Sequence, residues 1–118
     1  MIGEKTKLFA IRIINLYKFL TISAPLKEFV MSKQVLKSGT SIGANVREAL
    51  RGQSTADFRA KMNISLKEAC ETEYWLELLE RAEIRKDETV SALLHDCGSI
   101  RRLLISSINT AKQNTETK

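Results

Sequence analysis

The sequence predicts an all-α protein built as an antiparallel up-down-up-down four-helix bundle. The chain has 118 residues, which is enough for one domain with a modest core. It contains one proline and five glycines, fewer breaks than a protein of many short strands needs. Apolar residues recur every three or four positions along four segments, as on one face of a helix. The predicted helices, within a single domain spanning residues 1–118, cover residues 4–24, 26–51, 55–83 and 86–112.

The first predicted helix carries apolar residues on two faces. Four of them follow 4-3-4 spacing and form a core stripe: Phe9, Ile13, Leu16 and Leu20. Four others fall in the otherwise polar arc: Leu8, Ile11, Phe19 and Ile22. Scattered apolar side chains are common on protein surfaces. Four large ones on one helix nevertheless favour a subunit interface on this outer face, so we expect a homo-oligomer.

Proline and glycine set the expected helix ends. Pro25 separates the first two helices, because the residue before a proline is steered away from helical geometry. Its ring also suits the first turn of the second helix. Gly52 is expected to end that helix as a cap, and Ser54 or Thr55 to cap the third.

Three stripes interleave along the second helix. The core stripe comprises Phe29, Ser32, Leu36, Gly39, Gly43, Val46 and Leu50, with Val35, Ile42 and Ala49 beside it. The polar stripe includes Ser38, Ser41, Asn45 and Glu48. The basic members of the third stripe are Lys33, Lys37, Arg47 and Arg51. Each interior glycine costs about 1 kcal/mol relative to alanine, so Gly39 and Gly43 predict a close contact with another helix. A phosphate-binding loop is not expected, since the GxxxxGK[ST] pattern and a preceding strand are both missing.

The other two helices are patterned as strongly. The core stripe of the third is Phe58, Met62, Ser65, Ala69, Thr72, Leu76 and Leu79, and that of the fourth is Val90, Leu93, Leu94, Cys97, Ile100, Leu104, Ile108 and Ala111.

The charge is distributed unevenly. The net charge is +5, with nine basic and three acidic residues in 1–53 but four and seven in 54–84. The basic stripe of the second helix would contact the phosphates of a nucleic acid, or form only a solvated face. The polar stripe would bind a ligand or form an internal hydrogen-bond network that fixes helix register, and we favour the network.

Enzymatic chemistry finds little support. The glutamates of the third helix invite comparison with di-iron bundles, but those need two Glu-x-x-His motifs and this chain has one histidine, His95. Cys70 and Cys97 are too far apart for a CxxC motif and are expected to be buried free thiols. We therefore expect no catalytic residue, metal or cofactor.

The chain is expected to be cytoplasmic and not to enter a membrane. Its most apolar segment, Leu8 to Ile22, is interrupted by Arg12, Asn15 and Lys18 and lacks the ~20 apolar residues of a membrane span. No cleavage site typical of a signal peptide follows it.

The run SGTSIGANVREALRGQSTADFRAKMNISLKEACETEYWLELL, residues 38–79, resembles a bacterial family of four-helix bundles. The pieces that carry the resemblance are TSIGAN at 40–45, Glu48, ADF at 56–58 and ISLKEACETEYWLELL at 64–79. The family is named for open reading frames within 23S ribosomal RNA intervening sequences. Ala49 departs from the pattern, because many relatives have glycine after the glutamate.

The resemblance implies an up-down bundle that assembles into a homopentameric ring. Relatives include the accessory variability determinant of diversity-generating retroelements, which resembles a basic pentameric barrel binding a reverse transcriptase and nucleic acid. The family supplies no established catalytic residues. We therefore expect a non-enzymatic oligomeric scaffold whose basic surface contacts RNA or a ribonucleoprotein, with a protein-interaction module that binds no nucleic acid as the alternative.

Overall fold

The chain forms four helices, and the predicted all-α class is confirmed. The structure, a computed structural model, describes residues 1–25, 27–85 and 87–116. The helices are α1 (Ile2–Lys18), α2 (Val30–Leu50), α3 (Thr55–Arg81) and α4 (Glu88–Glu116), and the described residues include no strand. A five-residue π-helical turn, Phe19–Ser23, extends α1. None of the helices described is long and apolar enough to cross a membrane.

The helices pack side by side along one long axis. The molecule measures 57 × 21 × 21 Å, and short connections join the helices, an arrangement compatible with a four-helix bundle. Helix α2 packs extensively against both α1 and α3, and α3 against α4. Contact between α1 and α4 is sparser, so the bundle is held mainly by helices adjacent in sequence.

The core follows the predicted stripes except at the two ends of α2. The largest fully buried side chains come from all four helices: Ile13, Leu16, Leu20, Val35, Ile42, Val46, Met62, Leu76, Leu79, Leu93, Ile100 and Leu104. The prediction that Phe29 and Leu50 are core residues is wrong, since they are 59% and 58% exposed. Phe29 precedes the helix, and Leu50 is its last residue, so the neighbouring helices cover neither fully.

The connection between α1 and α2 differs from the prediction. The second helix was expected from residue 26, which lies outside the described residues, but α2 begins at Val30. Ala24, just before Pro25, is extended, with φ −68° and ψ 143°. Pro25 is therefore not in the first turn of α2.

Glu28 supplies the cap that fixes the start of α2. Its carboxylate accepts hydrogen bonds from the amides of Val30, Met31 and Ser32 at 3.0, 2.8 and 2.7 Å. These are donors that a helix start leaves unpaired. Desolvation raises the pKa of Glu28, but the backbone hydrogen bonds outweigh it and the pKa falls below its usual value.

Of the other two predicted caps, Ser54 is confirmed and Gly52 is corrected. Ser54 caps α3 as predicted, its Oγ accepting from the Asp57 amide at 3.0 Å. Gly52 is not in the left-handed conformation, and the C-cap of α2 is Arg51. A Cβ on Gly52 would lie 2.6 Å from Asp57 Oδ2, so glycine here leaves room for that carboxylate.

The end of α3 is a non-glycine cap. Helix α3 ends at Arg81 and not at residue 83, where Glu83 has a φ of 58°. The amide of Ile84 donates to the Leu79 carbonyl and that of Glu83 to the Glu80 carbonyl, a Schellman motif. The predicted start of the fourth helix, Lys86, lies outside the described residues. Helix α4 begins at Glu88 and continues to Glu116, beyond the predicted residue 112.

The predicted close contact at Gly39 and Gly43 is confirmed. A Cβ on Gly39 would lie 2.9 Å from both Cγ1 and Cγ2 of Ile13, and one on Gly43 would lie 3.3 Å from the Thr6 carbonyl oxygen. Ile13 is fully buried and has no room to move aside. The two glycines therefore let the backbones of α1 and α2 approach each other.

We expect Gly39→Ala to lower the free energy of unfolding by about 1–3 kcal/mol, the usual cost of overpacking, even after the helix-propensity gain of about 1 kcal/mol. Urea denaturation followed by circular dichroism measures it. The matched control is Gly98→Ala in α4, where the added Cβ would meet only two guanidinium groups, that of Arg102 at 3.4 Å and that of Arg101 at 3.9 Å. That variant should be neutral or more stable, and equal destabilisation of both would contradict the argument.

Candidate nucleic-acid interface

The basic residues of α2 lie on the solvent side of the bundle. Lys33, Lys37, Arg47 and Arg51 are all exposed. From Lys33 to Arg51 the stripe spans about 27 Å at 1.5 Å per residue. In the described part of the chain, no ion pair engages Lys33, Arg47 or Arg51. Their charges are thus available to a partner.

Four basic residues elsewhere form ion pairs within the described part of the chain. The ion pairs are Arg12–Asp96, Lys61–Glu48 (3.1 Å), Arg85–Asp87 (2.8 Å) and Arg101–Glu73 (2.5 Å). The hydrogen bond that Arg101 donates to the Glu73 carboxylate raises the pKa of Arg101. Three of these pairs join different helices, and they engage one acid each of α2, α3 and α4.

Lys37 differs from the other three residues of the stripe. Burial and the neighbouring Glu71 raise the pKa of Glu68, while Lys37 and Lys67 oppose that rise. Lys37 therefore faces the acidic side of α3 and is partly engaged there. Lys33, Arg47 and Arg51 remain the most available cations of α2.

A cleft lies beside the stripe, between the N-terminal half of α1 and the C-terminal half of α2. Its volume is about 740 Å³. The lining residues are Gly3, Glu4, Lys7, Ala10, Thr40, Gly43, Ala44, Arg47, Glu48, Leu50 and Arg51. Sequence reasoning missed this cleft because two helices form it jointly. The available signal was small residues on both helices: Gly3 and Ala10, seven residues apart on α1, and the adjacent Gly43 and Ala44 on α2.

The polar stripe divides between two kinds of contact. The hydroxyls of Ser38 and Thr72 form a buried hydrogen bond between α2 and α3, with 2.9 Å between the oxygens. Glu48 reaches α3 through its ion pair with Lys61. Ser41 and Asn45 bond within α2 instead: Ser41 Oγ donates to the Lys37 carbonyl, and Asn45 Nδ2 to the Ser41 carbonyl.

Sequence reasoning missed the polar partners on α3. The hydroxyl of Ser65 donates to the Ile42 carbonyl at 2.9 Å, and Thr72 pairs with Ser38. Both residues are fully buried. Hydroxyls in an otherwise apolar stripe were the signal, because a buried polar group needs a partner.

The outer face of α1 is apolar and open to solvent. Leu8, Ile11 and Ile22 are 53%, 48% and 69% exposed, and Ile14 joins them. Phe19 differs from the other predicted interface residues. It is half-buried against the core, and the Arg85 guanidinium carbon lies 3.7 Å from its ring centroid. The surface of Phe19 is therefore already partly covered within the protomer.

The cysteines lie in unlike surroundings. Burial raises the pKa of the Cys97 thiol to about 12, so it stays protonated at neutral pH. The expectation that Cys70 is buried is wrong, because it lies on the exposed side of α3, next to buried Ala69. Within the described ranges, no three His, Cys, Asp or Glu side chains are placed to hold a metal ion.

The fold is all-helical and compatible with a four-helix bundle, with exposed basic residues along α2 and exposed apolar residues along α1. The chain belongs to the 23S rRNA-intervening sequence protein family, whose model matches residues 2–106. It is also similar to a solved protein of unknown function from the S23 ribosomal protein family, from Bacteroides thetaiotaomicron. That similarity has 57% sequence identity and a TM-score of 0.87, covering 92% of this chain and 98% of that chain. Among curated proteins, no sequence matches.

Thr72→Val tests the buried hydroxyl pair. We expect it to lower the free energy of unfolding by about 1–3 kcal/mol, because Ser38 Oγ loses its partner in the core while the volume is kept. Ser41→Ala removes a hydroxyl of the same stripe that bonds only within α2, and should change stability by less than about 0.5 kcal/mol. Chemical denaturation of both variants decides this, and equal losses would contradict an interhelical role.

Proposed function

We propose that this protein is a non-enzymatic, cytoplasmic, oligomeric scaffold whose basic α2 face contacts RNA or a ribonucleoprotein. The observation that carries the proposal is the stripe of four exposed cations along one side of α2, none of which forms an ion pair in the described part of the chain. The family description refers to 23S rRNA, and the solved relative is placed in a ribosomal protein family. Both favour an RNA partner.

The physical basis is neutralisation of phosphates without reading of sequence. Lysine and arginine side chains on one face release the counterions of a nucleic acid, which makes binding strongly dependent on salt. Arg47 and Arg51 lie one helical turn apart, and a guanidinium binds a phosphate through two hydrogen bonds. Phosphate contacts fix position and leave sequence unread, so we expect shape and charge to select the partner.

The scaffold role rests on the outer face of α1. Leu8, Ile11 and Ile22 lie on a single helix and are each about half exposed or more. Apolar area concentrated on one element is typical of an interface. We propose that a second copy of the chain covers it. Resemblance to the accessory variability determinant suggests that five copies close into a ring.

A second candidate function is a protein-interaction module without nucleic acid. It is favoured by the outer side of α3, where Glu71 and Glu77 are exposed beside Tyr74. In that arrangement, the basic stripe of one protomer pairs with these acids on a neighbour.

The two functions are separated by the triple variant Lys37→Glu, Arg47→Glu and Arg51→Glu. We expect binding to structured RNA at low salt to fall at least tenfold, and the slope of log affinity against log salt to flatten by about one for each lost phosphate contact. Fluorescence anisotropy between 50 and 200 mM salt, about the range over which such contacts lose affinity steeply, gives both quantities.

The matched control reverses the same number of charges elsewhere, at Lys67, Arg81 and Arg102, which are also exposed. It should retain more affinity than the α2 variant. Intact assembly with lost RNA binding supports the RNA function. Lost assembly supports the interaction module, and a wild-type protein that binds no RNA at low salt contradicts the RNA function.

The assembly has its own test. Light scattering should give a mass several times the 13.3 kDa of the chain, and Leu8→Glu with Ile22→Glu should reduce it to one chain. Both side chains are more than half exposed in the protomer, so the substitutions should not unfold it. Ile64→Glu, at an exposed apolar site on α3, is the control and should leave the mass unchanged. A monomeric wild-type protein would exclude the scaffold.

A further inference from the structure

We propose that the cleft between α1 and α2 binds one unpaired ribonucleotide of an RNA strand, with the phosphate on its cations and the nucleoside against its apolar floor. The inference rests on the proposed function, because it names the form of RNA that the basic face selects. The cleft lies at the Arg47 and Arg51 end of that face.

The cleft has the size of a small-molecule site. Its volume of about 740 Å³ lies within the roughly 300–1,000 Å³ of typical ligand pockets. A base that is paired and stacked in a duplex cannot enter such a cleft without leaving the helix. Single-stranded loops, bulges and ends offer bases that are already free. Shape therefore favours an unpaired nucleotide over a duplex.

The floor is apolar because small residues line it. Gly43 lies where the backbones of α1 and α2 meet, and Ala10 and Ala44 add only methyl groups to the lining of the cleft. At one end, Leu50 packs over Gly3, where an added Cβ would lie 3.3 Å from Leu50 Cδ1. Leu50 is nevertheless mostly exposed, so it presents an apolar wall to the cleft. A ribose or a base face would cover this surface.

The charges around the cleft match one phosphate. Lys7, Arg47 and Arg51 contribute three cations, against the carboxylates of Glu4 and Glu48. Glu48 is already paired with Lys61 at 3.1 Å. That leaves an excess of positive charge that a phosphodiester would reduce.

Two acceptors add a preference for a nucleoside. The Glu4 carboxylate accepts hydrogen bonds and suits a ribose hydroxyl or an exocyclic amino group. The Thr40 hydroxyl donates to the Leu36 carbonyl at 2.7 Å, which leaves its lone pairs to accept. A nucleoside offers hydrogen-bond donors to these two acceptors, so the cleft suits a nucleotide better than inorganic phosphate.

The test fills the cleft without changing its charge. Ala44→Leu adds an apolar side chain at an exposed position of α2, and Ala92→Leu adds the same one at an exposed position of α4, away from the cleft. Fluorescence anisotropy measures binding of a 12-nucleotide oligoadenylate and of a 12-base-pair RNA duplex. Saturation-transfer NMR measures binding of adenosine 5′-monophosphate, with inorganic phosphate as competitor.

We expect wild-type protein and Ala92→Leu to bind the oligoadenylate more tightly than the duplex. Ala44→Leu should weaken the oligoadenylate and adenosine monophosphate about tenfold and the duplex less than twofold. Equal effects of the two leucine variants, or competition by inorganic phosphate at the concentrations at which the nucleotide itself binds, would overturn the inference. Duplex binding with no nucleotide binding overturns this inference alone. Nucleotide binding with no binding of either RNA overturns the RNA-strand assignment together with the proposed function.

Discussion

The contact between α1 and α2 at Gly39 and Gly43 is the constraint on which the rest of the structure depends. It brings the backbone of α1 so close that Ile13 fills the space a side chain at position 39 would occupy. This packing contact fixes the rotation of α1 about its own axis. Its stripe from Phe9 to Leu20 is turned into the core, and Leu8, Ile11 and Ile22 are turned outwards. The same approach leaves a cleft where both helices carry small residues. The interior, the apolar exterior and the cleft thus share one cause.

Charge follows from the same packing. Once α3 and α4 are in place, one acid of each meets a base of another helix, in Arg12–Asp96 and Arg101–Glu73. The outer side of α2 has few such acids, so its cations stay turned to solvent. The availability of Arg47 and Arg51 is therefore a consequence of the architecture as well as of composition. Exposed ion pairs contribute little to stability, so the fold loses little stability by leaving the cations of α2 unpaired.

Sequence periodicity was sufficient to predict the buried stripes of the helices, and insufficient to predict where helices begin and where a buried face ends. Stripes such as Phe9 to Leu20 were predictable because a buried face repeats with the turn of the helix. The start of α2 was not, because the Glu28 cap forms only when the chain folds back and the Glu28 amide donates to the Leu20 carbonyl. Cys70 is exposed although the preceding residue, Ala69, is buried, and hydrophobic periodicity did not separate the two neighbours. Of the candidate site, the basic stripe was predictable from α2 alone. The cleft was not, because it depends on how two helices are rotated against each other.

The sparse seam between α1 and α4 bears on how the chain folds. Helices that adjoin in sequence make most of the contacts, and the pair most distant in sequence makes few. Such a pattern has low contact order, which is typical of proteins that fold within microseconds to milliseconds. Hairpins of adjacent helices can form first, each from local contacts. The contact of the first helix with the last, through Arg12 and Asp96, closes a long loop and is expected to form late. The order in which the helices are synthesised is thus also an order in which they can assemble.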